Sequence, residues 1–262
     1  MTYELKIDVC LKQVPDTAAM QLDPVTHTLR RDGVKAVLNP LDEFPLEAAI
    51  RLKHAVGGTV TAFTMGPPQA DAVLRRAVAM GADETILLSC REFAGSDTWA
   101  TSLNLAAALR KHGPFDVILC GKQATDGDTA QIGPALAAHL DIAQITYVTN
   151  IMVCEDGRLE VHRMMDDGTA VLLVKPPVVL TVLKEANEPG FPSLAGYVTA
   201  LGTEPTLETA ESLGIAVADT GLKGSPTRVA KVSVPEISRN RRVISGTLDE
   251  CTAQFLAELK KG

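Results

Sequence analysis

Aromatic side chains make up only 4% of this 262-residue chain against an apolar fraction of 46%, so its core has to be built from Val, Leu, Ile and Ala. That is the composition of parallel strands covered by helices, and it argues against an all-β sandwich. Cysteine is sparse and unpatterned: Cys10, Cys90, Cys120, Cys154 and Cys251 are odd in number and lack CxxC spacing, so neither a disulfide framework nor a metal site is expected. Positive charge is in deficit, with 25 Lys and Arg against 32 Asp and Glu and a net charge of −7. Binding nucleic acid requires clustered cations, so none is expected as a partner. The one dense basic run, Arg239, Arg241 and Arg242, reads as a solvated or partner-facing segment. No hydrophobic run is long enough to cross a bilayer, which takes roughly 20 residues; the most apolar stretch, 171–183, is interrupted by Lys175, Pro176 and Pro177. With no basic and apolar leader before the first strand, the chain reads as soluble and cytoplasmic.

Self-contained chemistry is lacking as well. His27, His54, His112, His139 and His162 show no ligand spacing such as HExxH, and no GxSxG or Cys/His pairing signature is present. No catalytic residue and no metal ligand is assigned. A reaction involving this chain has to be carried by a bound cofactor.

What is present is alternation. Short β-rich runs at Leu5–Leu11, Thr59–Met65, Thr85–Ser89, Val117–Cys120 and Ile145–Val148 are separated by helical patterns at Leu41–Ala55, Gln69–Met80, Asp97–Lys111 and Thr129–Leu140. This predicts an α/β fold with a doubly wound, mostly parallel sheet. Gly81 and Gly113 stop two of these helices, and Asp97 caps the start of the one that Gly113 ends. Beyond Thr149 the pattern turns antiparallel: Ile151–Cys154, Arg158–Arg163 and Val171–Lys175 are joined by tight turns at Glu155-Asp156-Gly157 and Asp166-Asp167-Gly168. The β-branched run Val178–Leu183 returns to the main sheet. A domain spanning 1–201 is therefore expected, including this extension, followed by an arm over 202–262. Periodicity is weak in the arm until Leu248–Lys260, where Leu248, Cys251, Thr252, Phe255, Leu256 and Leu259 share one helical face. That helix packs on another chain or folds back on its own domain.

The segment Cys120 to Pro134 follows a buried strand and opens a helix, at the sheet edge where doubly wound folds bind ligands. Gly121 and Gly127 allow close backbone approach, and free N–H groups from Asp128 to Gln131 at the helix start suit a phosphate. Thr125, Thr129 and Gln131 can add neutral hydrogen bonds. Asp126 and Asp128 would repel a phosphate unless turned away, capping the helix or holding a ribose. A turn that merely caps the helix is the competing reading, since neither the P-loop nor the three-glycine dinucleotide pattern is present. Lys12-Gln13-Val14-Pro15-Asp16, Asn39-Pro40-Leu41-Asp42 and Met65-Gly66-Pro67 fall on the same edge, and Lys12 is the candidate cation for a pyrophosphate.

Taken together, Lys12 to Thr17, Leu38-Asn39-Pro40, Met65-Gly66-Pro67, Ala79 to Asp83, Gly121-Lys122-Gln123-Ala124, Asp126 to Gln131, Asn187-Glu188-Pro189 and Gly221 to Thr227 resemble the β subunits of electron transfer flavoproteins. The resemblance implies a Rossmann-like, adenine-nucleotide-binding domain with an antiparallel extension and a C-terminal arm that embraces a larger, FAD-holding α subunit. It places nucleotide contacts at Cys10, Asn39, Pro40, Leu41, Asp42 and Met65. It adds Gly121, Lys122, Gln123, Ala124, Thr125, Asp126, Gly127, Asp128, Thr129, Ala130, Gln131 and Ile132. In respiratory members of the family the nucleotide is structural AMP. In electron-bifurcating members it is FAD, which takes electrons from NADH and sends them to the α-subunit flavin and to a low-potential acceptor such as ferredoxin or flavodoxin. The Asp126-Gly127-Asp128-Thr129-Ala130-Gln131 run resembles the second group. Within 161–181 the family pattern holds except at Ala170, where Glu or Gln is usual. The loop 184–196 is similar to the family's recognition loop for an acyl-CoA-type or other flavin dehydrogenase, with Glu188 and Pro189 in its motif and Leu194 at the anchor position. Read from the residues alone, Leu194 folds back on its own domain. A stand-alone adenine-nucleotide sensor of the universal-stress type is the alternative from another class, but its glycine-rich phosphate loop near the chain end is absent.

Overall fold

The computed structural model describes residues 4–16, 21–22, 29–30, 35–230 and 243–260. The basic run at Arg239, Arg241 and Arg242 lies outside the described residues. The chain forms two compact units, Met1–Arg228 and Val229–Gly262.

In the first unit the strands are β1 (Leu5–Leu11), β2 (Gln13–Pro15), β3 (Gln21–Leu22), β4 (Leu29–Arg30), β5 (Ala36–Leu38), β6 (Gly58–Met65), β7 (Glu84–Leu88), β8 (Val117–Gly121), β9 (Ala143–Val153), β10 (Leu159–Met165), β11 (Gly168–Val174), β12 (Val178–Val182) and β13 (Thr206–Glu208). The helices are α1 (Glu43–Val56), α2 (Asp71–Met80), α3 (Thr98–His112), α4 (Ile132–Leu140), α5 (Leu194–Gly202) and α6 (Gly221–Gly224). Nine strands make one sheet in the order β11-β10-β9-β12-β8-β1-β6-β7-β13. The strands from β9 through β13 in that order pair in parallel, and β9, β10 and β11 are antiparallel. Small two-stranded sheets pair β2 with β5 and β3 with β4.

The central strands are covered on both faces, which is why β1 and β12 read as almost unbroken apolar runs. Leu5, Ile7, Val9 and Leu11 share a core with Leu46, Ala49 and Leu52 of α1 and Val73 and Leu74 of α2. Cys10, Phe63 and Ile118 share the opposite core with Leu105 and Leu109 of α3 and Leu136 of α4. Side chains alternate along each strand, so one layer of helices lies on each face. Strand β1 sits at the switch point: the chain runs outward through β6 and β7 on one side, then returns to β8 and runs outward on the other. Loops leaving β1 and β8 therefore diverge and open a crevice at their carboxyl ends.

Asp97 caps α3 by accepting from the Ala100 N–H at 3.1 Å, and Gly81, at φ 122°, ends α2. Strand β9 merges the two strands expected at 145–148 and 151–154. Its first part pairs in parallel with β12 and its second part antiparallel with β10, across register shifts and a left-handed Tyr147 at φ 60°. A bulge lets one strand serve both partners.

Strand β13 has no counterpart in the sequence pattern. It is three residues long and pairs with β7 at the sheet edge, held there by Glu208. That buried carboxylate accepts from Lys111 Nζ at 2.8 Å, meets His112 Nε2 at 2.7 Å and accepts from the Ser212 hydroxyl. Beyond it, Thr227 donates through its N–H (2.9 Å) and Oγ1 (2.7 Å) to Asp97. These ties carry the first unit to Arg228, past the expected domain end at residue 201.

The second unit contains α7 (Leu248–Leu259), which starts in a capping box between Thr247 and Glu250. Its Leu248, Phe255, Leu256 and Leu259 are all more than half exposed. Among the described residues no helix is long and apolar enough to cross a membrane.

Candidate functional site

The crevice is built from three chain segments that converge on the carboxyl ends of β1 and β8. Asn39, fully buried, ties them together. Its N–H donates to the Lys12 carbonyl (2.8 Å), its Nδ2 donates to the Gln123 carbonyl (3.0 Å) and its Oδ1 accepts from the Thr125 N–H (3.2 Å). Asp42 adds a second tie, accepting from the Lys12 N–H at 2.7 Å. Burial pushes the Asp42 carboxyl up to about 7, against the opposing pull of the Asn39 side chain, the Lys12 N–H and the Lys12 ammonium. Gly121 is required by this packing: a Cβ there would lie 2.3 Å from Asp42 Oδ1 and 2.9 Å from the Leu41 carbonyl oxygen.

The structure thus gathers Cys10, Lys12, Asn39, Pro40, Leu41, Asp42 and the whole of Gly121 to Ile132 at one edge, with Met65 at the end of the neighbouring β6. Their accessibility differs. Cys10, Asn39 and Asp42 are buried, whereas Thr125 to Thr129 and Gln131 are exposed. The expected helix start at Thr129 is corrected to Ile132, because Asp128 and Ala130 are left-handed at φ 52° and 54° and cannot continue a right-handed helix. Asp128 makes a turn rather than a cap: its N–H donates to the Ala124 carbonyl at 2.8 Å, and its carboxylate accepts from the Gln123 amide.

The acidic residues are turned onto partners. Asp126 pairs with Lys12 Nζ at 2.7 Å, so the candidate phosphate cation is engaged by a carboxylate of the same site. Lys122 lies 5.2 Å from the centre of the Tyr147 ring. The N–H groups of Thr129, Ala130 and Gln131 make no hydrogen bond among the described residues. The first turn of α4 presents further unpaired N–H groups, and Pro134 has none to satisfy. A Cβ on Gly127 would meet nothing within 4 Å. Unpaired amides at a helix start beside an open loop fit a phosphate-bearing nucleotide. Gly133 brings α4 close to the sheet, since a Cβ there would sit 2.3 Å from Thr181 Cγ2.

Three neighbours were not foreseen. Thr98 Oγ1 donates to Gln131 Oε1 at 2.9 Å, joining α3 to the loop. Asn104, fully buried on α3, donates to Thr220 Oγ1 at 2.7 Å and to Met65 Sδ at 3.5 Å. Polar residues on an otherwise apolar helix face were the available signal. Tyr147 reaches Lys122 only because of the β9 bulge, which the sequence pattern does not mark.

The 184–196 loop lies elsewhere, along α1 and α2. Glu188 is exposed, Pro189 half-buried, and Leu194 opens α5 with 82% of its surface exposed. Leu194 therefore does not fold back on its own domain. Ser193 caps α5 by accepting from the Gly196 N–H at 2.9 Å, and Gly196 admits close contact with α2: a Cβ would lie 2.2 Å from the Ala79 carbonyl oxygen.

Residues 26–215 match the electron transfer flavoprotein domain. The electron transfer flavoprotein subunit beta of Thermoanaerobacterium thermosaccharolyticum is 45% identical, over 97% of this chain and 98% of that protein. The caffeyl-CoA reductase-Etf complex subunit CarD of Acetobacterium woodii is 44% identical, over 98% of each chain. Protein FixA of Azotobacter vinelandii is 45% identical, over 87% of this chain and 83% of that one. A crevice at the sheet's switch point, a loop of unpaired amides and likeness along almost the whole length agree: the chain belongs to the electron transfer flavoprotein family, as a β subunit.

Proposed function

We propose that this β subunit binds FAD in its own crevice and works with a larger, FAD-bearing α subunit in flavin-based electron bifurcation. Electrons would pass between NADH, the two flavins, an acyl-CoA-type or other flavin dehydrogenase, and a low-potential acceptor such as ferredoxin or flavodoxin. The observation that carries this reading is the open loop around Gly127, where small residues and left-handed backbone at Asp128 and Ala130 leave space beside unpaired amides. The likeness to the CarD subunit of a caffeyl-CoA reductase-Etf complex supports it.

Within that site the N–H groups of Thr129 to Gln131 and the first turn of α4 would hold phosphate oxygens, while the Lys12–Asp126 pair balances charge at the mouth. Asn39 and Asp42 act beneath them by fixing the separation of the loops. A bound flavin supplies two-electron exchange with a nicotinamide and one-electron exchange with other carriers, which no side chain of the chain provides. The unpartnered apolar face of α7 and the exposed Met152, Val171 and Leu173 of the antiparallel extension offer surface for the α subunit. Leu194 would anchor the dehydrogenase.

The test is to purify the chain with its α subunit, release bound nucleotides by heat, and count them. Two FAD per heterodimer are expected. One FAD with one AMP would instead make this a non-bifurcating β subunit with a structural nucleotide.

A further inference from the structure

The geometry points to Glu47 and Arg51 as positioning residues for dehydrogenase docking: together they clasp the base of the 184–196 loop and fix how its apolar tip is presented. This inference rests on the reading of that loop as the docking element.

Both residues lie on α1, four apart, so they project from the same face of the helix. Each end of the clasp is used twice. Glu47 Oε1 accepts from Arg51 Nε at 2.6 Å, while Glu47 Oε2 accepts from the Gly190 N–H at 3.0 Å. Arg51 Nη2 donates to the Glu188 carbonyl at 2.9 Å. One turn earlier, the Phe44 carbonyl accepts from Asn187 Nδ2 at 3.0 Å. Three consecutive ties therefore hold residues 187, 188 and 190 on one helix. Arg51 uses two separate nitrogens, Nε for the carboxylate and Nη2 for the carbonyl, a spread that the single ammonium nitrogen of lysine does not reproduce.

Immediately past the clasp the chain presents Phe191, 97% exposed, and then Leu194. Val198 and Leu201 continue the exposed apolar stripe along α5 at helical spacing. The far end of α5 is held separately: Arg75 Nη1 donates to the Ala200 and Leu201 carbonyls at 2.9 and 3.3 Å. An apolar tip fixed at both ends binds without first having to be ordered, which is where preorganisation gains affinity. Loss of the clasp leaves the stripe intact and loosens only its approach.

The test uses the heterodimer with its α subunit and an acyl-CoA dehydrogenase that reduces the wild-type heterodimer. Arg51→Ala and Glu47→Ala are each expected to raise KM for the dehydrogenase about 3- to 10-fold, with kcat, nucleotide content and flavin spectrum unchanged. The double variant is expected to be no worse than the more impaired single variant, since both break one clasp. Amide exchange at Gly190 should quicken in all three, and Arg51→Lys should not restore KM. If Leu194→Ala raises KM while the α1 variants leave it at the wild-type value, the clasp proposal is overturned and the docking reading stands. If Leu194→Ala itself leaves KM unchanged, the docking reading falls and the proposal with it.

Discussion

Replacing Asp42 with Asn tests whether the crevice is held together by a neutral or a charged group. The carboxyl is buried beneath the Lys12 N–H, and burial raises its pKa from 3.8 to about 7. The folded chain therefore keeps a proton that the unfolded chain has already released above pH 4. The sign follows: the stability tied to this group is fully present below the unfolded pKa, is lost as pH rises from about 4 to about 7, and is flat above. Each unit of displacement corresponds to about 1.4 kcal/mol, so a shift of roughly three units sets a ceiling of about 4 kcal/mol. Asn stays neutral at every pH and keeps an oxygen that can accept the Lys12 N–H. Urea unfolding of wild type and Asp42→Asn, followed by the fluorescence of the single tryptophan, Trp99, gives the difference in stability at each pH. The variant should gain on wild type by about 2–4 kcal/mol between about pH 4 and pH 7, with no further gain above. Parallel profiles for the two proteins would refute the argument, since they would mean that Asp42 is as ionised folded as unfolded.

Gly121→Ala should cost roughly 1–3 kcal/mol of stability, because its methyl must displace Asp42 and Leu41. It should also release the bound nucleotide during gel filtration of the heterodimer; retention at wild-type stoichiometry would show that the loops can separate without harm. Glu208→Ala removes the buried acceptor of Lys111 and His112 and should cost about 1–3 kcal/mol, since Lys111 is 43% exposed and can return to water, with faster amide exchange concentrated at 206–208. The Lys111, Ser212 and His112 contacts outweigh burial and hold the Glu208 pKa below its ordinary value. Its contribution is thus present above the unfolded value of 4.5 and lost as pH falls through the folded one. An acid limb of the stability profile that is unchanged in the variant would contradict this.

The sheet was legible because its central strands are buried on both faces and leave long apolar runs that nothing else explains. Val178 to Val182 is such a run, and its return between β8 and β9 follows from it. Elements whose stability comes from remote partners left no such trace. Strand β13 depends on Glu208, and the residues that neutralise it lie about a hundred positions earlier on α3. Helix α5 carries its large apolar residues outward, so its periodicity does not mark a core of this domain. In the site, the glycines and the helix start marked the loop, but pairing could not be read. Lys12 stood as a free cation until Asp126, 114 residues away, was placed against it. Asn39 read as a ligand contact, and nothing in the pattern showed that its side chain also bonds the backbone of Gln123 and Thr125. One-dimensional patterns report which residues share a face; they do not report which polar atoms are already satisfied.

Helix α1 makes that distinction matter for function. Its first turn follows Asn39 and Asp42, which space the crevice loops, and its second and third turns carry Glu47 and Arg51, which hold residues 188–190. At 1.5 Å per residue, Asp42 and Arg51 are about 14 Å apart along one rigid element. Leu46, Ala49 and Leu52 bury the opposite side of the helix against β1 and β8, so it cannot shift at one end without repacking that core. The crevice and the base of the 184–196 loop are therefore both tied to α1, which is packed on the sheet. An electron carrier gains from such an arrangement. Transfer depends on the distance between bound redox groups, and on the proposed docking a partner gripped by a loop held on α1 would be gripped at a set distance from the crevice.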